Sequence, residues 1–275
     1  MTRTTVSNDT SATDMVRLEA GLASLREPAP EGFRHDTLVA VGLADDYAIV
    51  TSPVGPLRIA WNGRGVSAVD GAADDAAFEA RLTARTGRPA VRRAELPPRL
   101  AAAVERRIAG DRRARIELDL RGSSPFEQAV WLKALEIPRG EVRPYGWIAA
   151  EIGRPKAVRA VGTALGHNPI PLIVPCHRVV RSDGTIGQYS LGGPQNKRTI
   201  LAAEGLDPDE LERLARARVR YIGSDTTGIY CLPTCHNAKR ITAGHRVPFR
   251  SAAASEAAGF RACRECRPAS AVVAA

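Results

Sequence analysis

The residues able to do chemistry in this 275-residue chain are five cysteines in two unlike settings. Cys176 stands alone in Ile173-Val174-Pro175-Cys176-His177-Arg178-Val179-Val180, beside a histidine able to take a thiol proton. An unperturbed thiol has a pKa of about 8.5 and is mostly protonated at neutral pH, so a nucleophilic Cys176 needs such a base. A histidine works best when a carboxylate fixes its orientation, and Glu204 downstream is the candidate. Taken alone, Cys-His fits a buried inert cysteine equally well. Cys231, Cys235, Cys263 and Cys266 instead form a C-x3-C-x27-C-x2-C array, the spacing of four thiolates around one zinc ion.

The elements around Cys176 are predicted from local signals. Pro169, Pro171 and Pro175 bracket Leu172-Ile173-Val174 and predict an extended, rigid segment that delivers the thiol. Ser124 and Glu127, with Pro125 between them, make a capping box for a helix to about Leu135. Residues Tyr145–Ile152 predict a short helix, Gly153-Arg154-Pro155 a turn, and Lys156–Leu165 a second helix stopped by Gly166-His167-Asn168-Pro169. That is the outline of a helix-turn-helix, with a helical hairpin in an ordinary core as the alternative. The second helix is lined by the small residues Ala157, Ala160, Gly162, Thr163 and Ala164, leaving Arg159 as its one long central side chain. Small side chains let a helix backbone approach a surface closely. Seven Lys/Arg against two Asp/Glu lie between Arg139 and Arg181, around the candidate nucleophile.

Upstream, residues 1–36 read as an arm with one amphipathic helix over Asp14–Arg26. Strands follow over Tyr47–Thr51, Leu57–Trp61 and Val66–Val69, the last two joined by Asn62-Gly63-Arg64-Gly65 as a hairpin. Asp74 and Asp75 can cap a helix over Ala76–Arg85, Leu100, Val104 and Ile108 stripe another before Gly110, and Ile116, Leu118 and Leu120 alternate as a strand. Domain limits are set at 37–120, 121–206 and 220–270, with a linker helix over 207–219.

A net charge of +9 suggests an acidic partner, most commonly nucleic acid, and 44% hydrophobic content is ordinary for globular folds. No apolar run approaches the roughly 20 residues that span a bilayer. The start lacks a secretory core, and an odd cysteine count fits a reducing compartment, with the cytoplasm as default.

Several blocks in order, Gly140-Glu-Val-Arg-Pro-Tyr145, Arg154-Pro-Lys-Ala-Val-Arg159-Ala-Val-Gly162, Asn168-Pro169, Pro175-Cys176-His177-Arg178-Val179-Val180 and Tyr189, resemble the O6-alkylguanine-DNA alkyltransferases over about residues 45–206. The resemblance implies a ribonuclease-H-like α/β domain followed by an all-α, winged-helix-like catalytic domain. It further implies a monomer acting on double-stranded DNA with alkylated bases, the second helix entering the minor groove and the damaged base leaving the stack. Carried over by position, Cys176 takes the alkyl group from O6-alkylguanine, and from O4-alkylthymine, irreversibly and with no organic cofactor. His177 accepts the thiol proton through a water and is oriented by Glu204, Tyr145 assists the departing guanine, and Arg159 fills the gap in the stack. Ala157, Ala160, Gly162 and Thr163 face DNA; Asn168 braces the turn; Tyr189, Ser190 and Val179 line the base pocket. Each has a plainer reading: half-buried aromatics, a helix cap, a phosphate contact. Ser190–Arg198 is one residue longer than the usual spacing before the acidic residue, and Gln188 stands where a smaller residue or asparagine is familiar.

From about Arg220, Thr226–Cys235 and Ala257–Pro268 resemble the zinc domain of the bacterial adaptive-response (Ada) protein. There the first ligand, matching Cys231, accepts methyl from a DNA phosphotriester, with Lys239, Arg240, Arg246 and Arg250 available to neighbouring phosphates. The residues after Cys235 depart from that pattern, so a zinc module that only holds DNA is an equal alternative. His236 and His245 are expected to face solvent, since four cysteines complete a tetrahedral site. Two other classes use the same features: a non-catalytic or regulatory DNA-damage-binding protein, which does not require Cys176, and a cysteine hydrolase, which needs turnover.

Overall fold

A computed structural model describes residues 15–17, 19–21, 32–111 and 113–268. Residues 15–17 and 19–21 are helical, and the rest of the expected Asp14–Arg26 helix lies outside the described residues. A helix, α1, covers Phe33–Ala40 and runs across the expected arm boundary at residue 36, so the N-terminal unit begins earlier than its composition suggested. Its end meets the hairpin, where Gly63 N–H donates to Val39 O at 2.8 Å.

Strands β1 (Asp45–Ser52), β2 (Gly55–Asn62) and β3 (Gly65–Asp70) are antiparallel neighbours. A short β4 (Ala90–Arg92), which the sequence reading missed, joins parallel to β1, giving the order β3-β2-β1-β4. Because strand side chains alternate faces, Tyr47, Ala60 and Ala68 point to one side, against Phe78 and Leu82 of α2 (Asp75–Thr86). Asp74 caps α2 by accepting from Ala77 N–H, as its position predicted. Ala48, Leu57, Ile59 and Val69 are in the large core that continues into the helical unit. Helix α3 (Pro98–Ile108) adds Val104 to that core.

The expected strand at Ile116–Leu120 is a single bridge between Leu118 and Val66. Gly65 permits the approach, since a Cβ there would lie 2.3 Å from Glu117 O. Asp119 is held in a buried polar cluster by Asn62 and Arg121, which fixes the chain there without a ladder.

The helical unit opens with α4 (Pro125–Ala134), whose Ser124–Glu127 capping box is formed. Helices α5 (Tyr145–Glu151) and α6 (Val158–Gly166) follow, separated by the glycine turn. Lys156 and Ala157 precede α6 rather than opening it, because Ala157 N–H closes the Pro155 turn onto Arg154 O. Trp131 Nε1 of α4 donates to Ala164 O at 2.7 Å and fixes the last turn of α6. Short strands β5 (Arg143–Pro144) and β6 (Val179–Val180) pair in parallel. Helix α7 (Gly193–Ala203) leads into α8 (Pro208–Arg216), the expected linker helix, which is packed rather than free. Leu211 is buried with Val142, Val180, Ile186, Leu201 and Leu206, and Arg198 pairs with Asp209 and Glu212.

The C-terminal unit is a four-stranded sheet in the order β10-β8-β7-β9, made of β7 (Tyr221–Ser224), β8 (Ile229–Cys231), β9 (Arg246–Phe249) and β10 (Arg261–Ala262). Two short helices, α9 (His236–Lys239) and α10 (Ala252–Ala257), cover a small core around Tyr221, Tyr230 and the cysteines. No helix among the described residues is long and apolar enough to cross a membrane.

Candidate active site and metal centre

The proline-bracketed segment is a tight turn rather than the extended stretch expected. Pro171 and Val174 form a bridge, and Leu172 takes a left-handed φ of 74°, a conformation costing a leucine roughly 1–2 kcal/mol. Asn168 holds the turn: its Oδ1 accepts from Ile170 N–H at 3.0 Å, and its Nδ2 donates both to Val174 O at 3.0 Å and to Cys176 Sγ at 3.0 Å. Cys176 follows in a 3-10 turn over Cys176–Arg178. The loop is also tied to the N-terminal sheet, as Val69 N–H donates to Pro169 O at 2.9 Å.

Cys176 sits against a pocket of about 220 Å³ lined by Tyr145, Gly162, Leu165, Gly166, Gln188, Tyr189 and Ser190. Burial pushes its thiol up, while the Asn168 amide, Lys197 and the Ser190 side chain work in the opposite direction. His177 is fully buried; its Nε2 lies 3.0 Å from Glu204 Oε1 and its Nδ1 has no partner among the described residues. Burial lowers the His177 pKa despite Glu204, which favours the neutral ring. Since Glu204 can only accept, the ring proton belongs on Nε2, leaving the Nδ1 lone pair free. Burial would raise Glu204, but hydrogen bonds from His177 and then Arg178 outweigh it and hold the carboxyl at about 2.

The structure thus brings Cys176, Tyr145, Tyr189 and Ser190 to one pocket and joins His177 to Glu204, despite the longer spacing before that glutamate. Asn168 braces the thiol from behind the lining. Val179, expected in the pocket, is instead fully buried, packed into the large core, and does not line the opening. On α6, Arg159, Ala160 and Thr163 are exposed and Gly162 half-buried, as is Ala157 just before it. A Cβ at Gly162 would come 3.9 Å from the Tyr145 ring and narrow the pocket. Arg154, Lys156 and Arg159 form no ion pair among the described residues and leave a basic surface around α6.

Two participants escaped sequence reasoning. Arg178 donates to both Glu204 oxygens, at 2.9 and 2.6 Å, and to Ile137 O at 2.7 Å. Lys197 is wholly buried, bonds Val179 O at 2.6 Å, and is lowered by burial to about 8 with Cys176 as its opposing neighbour. Nothing local in the sequence marks either, because both depend on where α7 packs.

In the C-terminal unit the four cysteine sulfurs are buried, unbridged and all within 4.8 Å of one another. Tetrahedral thiolates about 2.3 Å from a zinc ion stand roughly 3.8 Å apart, so the cage fits the ion. Leu232 N–H donates to Cys266 Sγ at 3.3 Å and Asn237 Nδ2 to Cys263 Sγ at 3.6 Å, as negatively charged sulfurs require. His236 and His245 have side chains 57% and 54% exposed and stay outside the cage, as expected. Cys231 alone of the four cysteines lines a cavity of about 430 Å³ with Thr226, Thr227, Asn237, Arg240 and His245. Of the four expected phosphate partners only Arg240 is there: Lys239 is bonded to Gly140 O, Arg246 to Ala238 O, and Arg250 lines a different cavity.

A thiol acceptor over a pocket, beside an exposed small-residue helix, and a separate four-thiolate zinc site define this protein by class. Residues 125–206 match the model of the 6-O-methylguanine DNA methyltransferase DNA binding domain, and residues 212–269 that of the metal binding domain of Ada. A methylated-DNA--protein-cysteine methyltransferase of Mycolicibacterium paratuberculosis is 43% identical over 58% of this chain and 92% of its own length. That of Mycobacterium tuberculosis H37Rv is 55% identical over 32% of this chain and 53% of its own. Among solved structures, Mycobacterium tuberculosis OGT in complex with DNA shares 39% identity over 58% of this chain and 92% of that one, with a TM-score of 0.48. The chain belongs to the methylated-DNA--protein-cysteine methyltransferase family and carries an Ada-type zinc-binding domain after the alkyltransferase part.

Proposed function

We propose that the chain repairs DNA by direct reversal, Cys176 taking the alkyl group from O6-alkylguanine once and irreversibly. The observation that carries this is the thiol on its pocket, with Asn168 Nδ2 at 3.0 Å and the His177–Glu204 pair at 3.0 Å beside it. His177 Nδ1, buried and unpartnered, takes the thiol proton through a bridging water, and Glu204 stabilises the imidazolium. The thiolate attacks the alkyl carbon; an S–C bond forms as the C–O6 bond breaks, and the electron pair leaves with the guanine. Tyr145 supplies a proton or hydrogen bond there, which makes the base a better leaving group. Transfer of the His177 proton back toward Tyr145 restores neutrality.

The N-terminal sheet and helices are read as a ribonuclease-H-like scaffold and α5–α6 as a helix-turn-helix that lays α6 in the minor groove. Exposed Ala160 and Thr163 permit close approach, and Arg159 takes the place of the flipped base. The Cys231 cavity, with Arg240 on its wall, favours a second acceptor role toward DNA methylphosphotriesters. Zinc supplies charge that keeps such a thiolate deprotonated, and the four cysteines hold it.

Intact-protein mass spectrometry after incubation with O6-methylguanine duplex tests the main reading. One added methyl on Cys176 is expected, and none in Cys176→Ala, which keeps its DNA affinity; unchanged repair by that variant would overturn the assignment. Methylphosphotriester DNA given to Cys176→Ala should then place a methyl on Cys231.

A further inference from the structure

The metal module does not hang from the alkyltransferase unit on a linker; it holds the segment that carries Tyr145. Lys239 Nζ donates to Gly140 O at 2.8 Å, and His236 N–H to Glu141 Oε1 at 3.1 Å. Thr234 Oγ1 accepts from Val142 N–H at 2.9 Å and donates to Val142 O at 3.3 Å, so one hydroxyl satisfies both backbone groups of a buried residue. Beyond β5, Trp147 Nε1 donates to Cys266 O at 3.0 Å, and the Arg267 guanidinium lies 5.3 Å from the Trp147 ring while pairing with Glu151 at 2.8 Å.

These contacts have a common pattern on both sides. In the module they come from Thr234 and His236, which flank Cys235, from Lys239 one turn on, and from Cys266 and Arg267. The residues that bind metal and the residues that hold the neighbour are thus the same two short stretches. In the alkyltransferase unit the contacts fall at 140–142 and at 147 and 151, on either side of Arg143-Pro144-Tyr145. That stretch pairs with β6, the strand leaving the Cys176 turn. Tyr145 is therefore fixed between the nucleophile's own strand on one flank and the zinc module on the other.

We propose that the zinc module is a positioning element for Tyr145, with Thr234 and Trp147 as positioning residues, so that occupancy of the four-cysteine site controls alkyl transfer at a cysteine that binds no metal. The proposal rests on the reading of Tyr145 as the group that meets the leaving base. Misplacing a group that must meet a developing charge slows the chemical step far more than it weakens binding. Order in the ligand stretches is supplied by the metal, since so small a core does not hold them alone.

The test uses the full zinc-loaded chain. Thr234→Val keeps the shape and deletes both hydrogen bonds; Thr234→Ser keeps them. We expect Thr234→Val to lower the single-turnover rate constant for methylation of Cys176 by about tenfold, with duplex affinity and one zinc per chain retained. Amide exchange over residues 143–151 should quicken, and Thr234→Ser should match wild type. In a Tyr145→Phe background Thr234→Val should cause no further loss, because the group it positions is gone. A wild-type rate in Thr234→Val, or an equal tenfold loss in the Tyr145→Phe background, would overturn the proposal alone. A wild-type rate in Tyr145→Phe would overturn the reading of Tyr145 along with it. Should Thr234→Val shed zinc, Trp147→Phe, which deletes the bond to Cys266 O and shrinks the ring under Arg267, is judged by the same outcomes.

Discussion

Asn168 Nδ2 lies 3.0 Å from Cys176 Sγ and also 3.0 Å from Val174 O, so one amide both shapes the active-site turn and places a donor on the nucleophile. Burial works against the thiolate here, and this donor is the first counterweight. Asn168→Ala should slow methylation of Cys176 by roughly 10²-fold, in the range of losing a preorganised donor to a developing anion. Asn168→Asp should be slower still, since it sets a carboxylate against the thiolate. Single-turnover kinetics with O6-methylguanine duplex decide it, and a rate within twofold of wild type in Asn168→Ala would remove this role.

Arg159 is exposed on α6 with no ion pair among the described residues, and it does not line the Cys176 pocket. If it fills the space of the flipped base, Arg159→Ala should slow repair in duplex DNA about tenfold or more while leaving reaction with free O6-benzylguanine unchanged. Equal losses on both substrates would instead indicate a pocket or folding defect.

Glu204 is held at about 2 in the folded chain against an ordinary 4.5. Its folded value is depressed, so it contributes stability that is fully present above about 4.5 and lost as pH falls through about 2. The contribution is on the order of 3 kcal/mol. Urea denaturation from pH 7 down to pH 2 should show wild type losing stability across that window. Glu204→Gln should start lower and show a flatter profile, and an unchanged slope would refute the linkage.

Removal of zinc by a chelator should disorder the C-terminal sheet while the large N-terminal core persists. The small cluster around Tyr221, Tyr230 and the four cysteines depends on the ion to close it. Metal analysis should give one zinc per chain, falling to none in Cys263→Ser. Amide exchange should rise over residues 221–266 and stay slow in β1–β3; protection of the module in the metal-free protein would show that its core suffices.

Much of this protein was legible in the chain itself. The capping box at Ser124–Glu127, the Asn62–Gly65 hairpin and the Asp74 cap are written in neighbouring residues, so short-range rules found them. The zinc cage was legible because ligand type and spacing leave few other uses for four cysteines. Misreadings arose where a local pattern met a distant partner. Ile116, Leu118 and Leu120 alternate like a strand, yet Asp119 is drawn into the cluster with Asn62 and Arg121. The prolines around Leu172 suggested extension, yet Asn168 closes them into a turn.

What the sequence marked by itself is the Cys176-His177 pair, the small-residue helix and the four-cysteine array, because each depends on residue type and near spacing. Only the tertiary structure decided that Arg178 shares Glu204 with His177, that Lys197 is buried near Cys176, that Arg240 alone of four basic residues faces the Cys231 cavity, and that the zinc module holds the Tyr145 segment. Most of those facts join residues far apart in the chain, as with Trp147 and Cys266. Such pairings follow from how helices and sheets pack, and packing is set by the whole core rather than by any stretch of chain.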